Sequence, residues 1–65
     1  MHDSVVIRGK VARVGDFVCF RECIDQGGWI DRIKGNLLFI RNPNGFLGPL
    51  AANDVAVVRV EDCWL

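Results

Sequence analysis

Three cysteines, one histidine and one serine are the side chains in this 65-residue chain with the most scope for chemistry beyond packing, and threonine and tyrosine are absent. Cys19 and Cys23 are separated by three residues, and Cys63 with His2 would complete a Cys3His set. Structural zinc sites are usually built from tight cysteine pairs, with a second pair close by. No second pair is present here, so the cysteines read as small apolar groups, and neither a metal nor a cofactor is expected. A nucleophilic cysteine or serine also needs a base held in place by a third group. The sole histidine sits at position 2, far in sequence from every cysteine. Asp16, Glu22, Asp25, Asp31, Asp54, Glu61 and Asp62 are scattered over turns and strand ends, where carboxylates are solvated. The chain is therefore expected not to be an enzyme.

Binding is the remaining chemistry. Arg8, Lys10, Arg32 and Lys34 could form one basic face, as a nucleic-acid surface requires. Against that stands the charge balance of 8 basic and 8 acidic residues, since phosphate neutralisation supplies most non-specific affinity. Gly27-Gly28 and Gly45-x-x-Gly48 do not lead from a strand into a helix, so no phosphate loop is expected. Trp29 follows a glycine pair and reads as core. Trp64, in the apolar end Cys63-Trp64-Leu65, is expected to pack on its own domain or across a subunit boundary.

These residues must be carried by a small scaffold. A 51% hydrophobic chain of this length forms one domain, 1–65, and is too apolar and too evenly charged to be disordered. No apolar run approaches the ~18 residues of a membrane span. Met1-His2-Asp3-Ser4 lacks the basic start of a signal peptide, and three cysteines make an odd number for a disulfide framework. A cytoplasmic protein is the expectation.

Seven glycines and two prolines cut the chain into six pieces rich in Val, Ile and Phe: 5–14, 17–23, 29–34, 37–41, 46–50 and 55–60. Gly15-Asp16 and Gly35-Asn36 suit two-residue turns with glycine first. Asn42-Pro43-Asn44-Gly45 suits a four-residue turn, Asp25–Gly28 a looser loop, and Ala51–Asp54 a single helical turn. Segment 16–26 has an alternative as a helix, with Phe17, Phe20 and Ile24 on one side. The composition favours an all-β fold, a small antiparallel barrel of five or six short strands.

Strand parity then exposes an excess. Phe17 and Cys19 oppose Val18 and Phe20; Leu37 and Phe39 oppose Leu38 and Ile40; Val57 opposes Val58. In the third piece, Trp29, Asp31 and Ile33 would share one side and Ile30, Arg32 and Lys34 the other. In the first, Val5, Ile7 and Val11 would share a side. One barrel interior cannot take both apolar faces, so Phe17, Cys19, Leu37, Phe39 and Trp64 are expected to meet another surface. A homo-oligomer would bury them and stabilise so small a core. A protein partner is the further expectation, with a nucleic acid as the alternative.

Gly15-Asp16-Phe17-Val18, Trp29-x-x-x-Ile33-x-Gly35 and the turn Asn53-Asp54-Val55 resemble the SH3-like small-barrel superfamily, which includes KOW and Tudor-type modules. Within it, the Gly-Asp-x-Val start, the Trp-x-x-x-Ile-x-Gly spacing and a Val-Ala-containing last strand are similar to the plasmid-encoded type II dihydrofolate reductases. That resemblance implies an SH3-like barrel and, for that family, a homotetramer with an active pore lined by a Val-Gln-Ile-Tyr run. Here Phe46-Leu47-Gly48-Pro49-Leu50 stands in roughly that region and no tyrosine is present, so the activity is not carried over, and a reductase-like enzyme is kept only as the weaker alternative to a binding module.

Overall fold

The glycine-bounded, β-branched pieces form strands almost throughout. A computed structural model describes residues 4–22 and 24–65, in seven strands: β1 (Ser4–Ile7), β2 (Lys10–Arg13), β3 (Phe17–Glu22), β4 (Ile24–Lys34), β5 (Leu37–Arg41), β6 (Val55–Arg59) and β7 (Cys63–Trp64). The fold is all-β, as expected. Two 3-10 turns, Gly48–Leu50 and Val60–Asp62, are the only helical pieces among the described residues, and no helix is long and apolar enough to cross a membrane.

The small antiparallel β fold is as expected, but its seven strands, rather than five or six, make two sheets and do not close into a barrel. β1 and β2 form a hairpin; the other five run in the order β6-β5-β4-β3-β7. Backbone bonds from Gly15 to Ile30 and from Ile30 to Asp16 tie the hairpin's exit to β4. The two sheets are otherwise joined by packing. Ile7 and Ala12 of the hairpin meet Val18, Phe20, Ile30, Leu38, Ile40, Ala56, Val58, Phe46 and Cys63 in one core.

Turn chemistry explains where the chain reverses. The first piece is two strands, not one, because Arg8 (φ 49°) and Gly9 (φ 82°) both take left-handed conformations in a two-residue hairpin loop. Val11 consequently pairs with Val6, and both are exposed, rather than lying beside Ile7. Gly35 (φ 61°) opens the β4–β5 loop as expected. Asn42–Gly45 closes through the Gly45 N–H donating to the Asn42 carbonyl at 2.9 Å.

The helical alternative for segment 16–26 gives way to the expected strand: Phe17 pairs with Trp29 and Phe20 with Gln26 across β3 and β4. Two expectations are corrected. Asp25–Gly28 is not a loop but the first half of β4, where glycines permit close approach. A Cβ on Gly28 would lie 2.8 Å from both the Arg41 carbonyl oxygen and Ile40 Cγ2. Piece 46–50 is not a strand. Pro49 lacks the ladder donor, and the 3-10 turn forms there instead of at Ala51–Asp54.

Candidate functional site

A β-bulge organises the outer face of the larger sheet. The β4–β5 register shifts between Ile30 and Arg32: Ile30 faces Ile40, Arg32 faces Phe39, and Asp31 is the extra residue. The shift resets parity. Ile30 and Ile33 both turn toward the core, while Trp29, Arg32 and Lys34 take the opposite face. The expected grouping of Ile30 with Arg32 and Lys34 is therefore corrected, and so is the expectation of Trp29 as core. Trp29 is 42% exposed, with the inner positions beside it held by Gly28 and Ile30.

The rows of this face can be followed across the strands. Cys19 lies between Trp64 on β7 and Gly27 on β4. The next row runs Phe17, Trp29, Arg41, Val55; then come Arg32, Phe39, Val57; then Lys34, Leu37, Arg59. All five residues expected to exceed the core, Phe17, Cys19, Leu37, Phe39 and Trp64, share this face, and Ile40 points inward. Sequence reasoning missed Trp29 as a surface ring and Arg41 as its neighbour, because nothing in the residue types marks the bulge.

Phe17 and Trp29 meet edge to face, ring centroids 4.9 Å apart. The Arg32 guanidinium stands 5.2 Å from the Phe39 ring centroid. Trp29, Ile30, Asp31, Arg41 and Pro43 line an open, mainly apolar cleft of about 320 Å³. At its rim Arg41 Nε is 3.5 Å from Asp31 Oδ1, both well exposed. Arg21–Asp25 at 3.6 Å and Arg59–Glu61 at 4.0 Å are similarly exposed ion pairs. Arg32 and Lys34 have no carboxylate partner among the described residues.

The four residues proposed as a basic face divide between the two sheets. Arg32 and Lys34 share the outer face of β4, whereas Lys10 belongs to the hairpin and Arg8 to its turn. Arg8 is occupied: its Nε donates to the Cys63 carbonyl at 3.2 Å, and its guanidinium stands 6.0 Å from the Trp64 ring centroid. Trp64 is thereby half-buried on its own chain, between Arg8 and Cys19.

Among the described residues no group of three His, Cys, Asp or Glu gathers as a metal site would. Of the four residues weighed for zinc, His2 and Cys23 lie outside the described residues. Cys63 is buried with its thiol donating to the Arg59 carbonyl at 3.3 Å. Burial, then the charge of Asp62, pushes that thiol up from 9.0 to about 11. Cys19 is half-buried on the outer face.

No family model, curated protein or solved structure matches the chain. Its functional reading rests on its own geometry.

Proposed function

We infer that the chain is a non-catalytic binding module working through the outer face of its five-stranded sheet. One observation carries the reading. Phe17, Trp29 and Val57, from three different strands of that face, are 47%, 42% and 53% exposed. Exposed apolar side chains gathered on one sheet face mark an interaction surface. Cys19 and Cys63 form no disulfide among the described residues, which fits the proposed cytoplasmic setting. The reductase-like alternative has least support: Phe46 is buried in the core and Gly48–Leu50 is a 3-10 turn, so this segment presents no extended run.

Self-association through the same face is the second reading. Val57 favours it, because it carries the apolar surface of that face out to β6 and is half exposed. A symmetric dimer is the simplest form. Its cost is electrostatic, since it would bury Arg32 and Lys34, which have no carboxylate partner among the described residues, in the interface.

The test is a variant carrying Phe17→Ser, Trp29→Ser and Val57→Ser, followed by thermal unfolding and sedimentation at several concentrations. A free binding face predicts a folded variant with a midpoint within a few degrees of the parent. Loss of the fold at every concentration would show that these residues are structural and end the reading. A parental midpoint that rises with concentration, lost in the variant, would assign the face to a second copy.

A further inference from the structure

We propose that the outer sheet face binds single-stranded nucleic acid, with one base in the cleft beside Trp29 and the phosphates on Arg41, Arg32 and Lys34. The proposal rests on the reading of this face as the binding surface and names its occupant. Charge and stacking chemistry coincide here and point to the same ligand. Single-stranded nucleic acid is held by cations that track its backbone and by exposed aromatic rings on which bases stack.

Arg41, Arg32 and Lys34 occupy three successive rows, opposite Trp29, Phe39 and Leu37 respectively. Rows on one face of a strand are about 7 Å apart, twice the rise per residue. The three cations therefore form a track along β4 and β5 rather than a cluster. Arg32 and Lys34 have no carboxylate partner among the described residues, and Arg41 has only an exposed pair with Asp31 at 3.5 Å. Exposed pairs are weak, so a phosphate can displace the carboxylate.

The aromatic side of the requirement is met at the head of the track. Trp29 is braced edge to face by Phe17, which fixes its ring while leaving it 42% exposed. The cleft beside it, about 320 Å³ and lined also by Ile30, Asp31, Arg41 and Pro43, stands at the small end of ligand sites. It suits one planar ring. Asp31 at the rim is an acceptor for an exocyclic amine. A duplex, whose bases are already stacked on one another, cannot use the Trp29 ring in this way.

Fluorescence anisotropy with labelled mixed-sequence single-stranded DNA, single-stranded RNA and duplex DNA of equal length tests the proposal. The expected result is binding of single strands in preference to duplex, with log K falling against log salt at a slope of about −2, for three phosphates neutralised. Trp29→Ala should weaken binding about tenfold or more with little change in thermal midpoint, and Trp29→Phe should restore most of it. The double variant Arg32→Ala, Lys34→Ala should reduce the slope by about 1.4. Preference for RNA or for DNA would identify which strand the face takes, and either supports the proposal. Equal affinity for duplex with no effect of Trp29→Ala would reveal general attraction of polyanions and overturn it. Absence of binding at low salt would overturn it too. If concentration-dependent dimers lost in Val57→Asp accompany that absence, the face still binds, but its occupant is a second copy.

Discussion

Phe17 meets Trp29 edge to face across β3 and β4, with ring planes at 81°, and both rings stand on the solvent side of the sheet. Aromatic pairs of this geometry contribute about 0.5–1.5 kcal/mol beyond the area they bury. Here the contact does something else as well: it orients an exposed indole at the mouth of a cleft.

The two faces of β3 should therefore respond very differently to truncation. Phe20 is fully buried, and Phe20→Ala is expected to cost about 3–5 kcal/mol, enough to unfold so small a domain. Phe17→Ala should cost about 1 kcal/mol or less. Urea unfolding of the two variants checks this, and equal losses would mean that the outer face is as structural as the inner one.

Gly28→Ala should be among the most damaging single changes. The new Cβ would stand 2.8 Å from the Arg41 carbonyl oxygen, a backbone atom that cannot rotate away. Overpacking of this kind costs about 1–3 kcal/mol. A variant as stable as the parent in chemical denaturation would show that β4 and β5 are not so close at this point.

Stability should also fall in mild alkali. The Cys63 thiol has its folded value raised from 9.0 to about 11, so the native state keeps a proton that the unfolded chain releases. The contribution is complete below about pH 9 and is lost as pH rises toward 11. Denaturant melts across that window should show a decline in the parent that is shallower in Cys63→Ala. Parallel curves for the two would mean that Cys63 is not the titrating group.

Arg8→Ala should loosen the join between the hairpin and β7. It removes the donor to the Cys63 carbonyl and the cation beside Trp64, yet retains the left-handed backbone position. The expected loss is about 1–2 kcal/mol, and faster hydrogen exchange in β7 would locate it. Unchanged exchange at Cys63 and Trp64 would show that the tie is dispensable.

What could be read from the sequence follows from how each feature is encoded. Alternation placed Phe17, Cys19, Leu37 and Phe39 opposite Val18, Phe20, Leu38 and Ile40, because period-two patterning is intrinsic to a strand. The Gly35 and Asn42–Gly45 turns were legible from residues that favour their backbone angles. The Arg8-Gly9 turn was hidden because arginine seldom adopts positive φ. The bulge at Asp31 was hidden as well, since an extra residue in one strand is a property of the pair. That single residue moved Arg32 and Lys34 to the side of Trp29 and so decided the composition of the candidate site.

The most direct measurement is a titration of the isotope-labelled protein with a single-stranded oligonucleotide, followed by amide and indole chemical shifts. The two tryptophan indoles give an internal comparison, one at the cleft and one beside Arg8. The account predicts the largest shifts at Trp29, Arg32, Phe39 and Arg41, with little change in the β1–β2 hairpin. Shifts centred on Arg8, Lys10 and the Trp64 indole, with Trp29 unmoved, would contradict it.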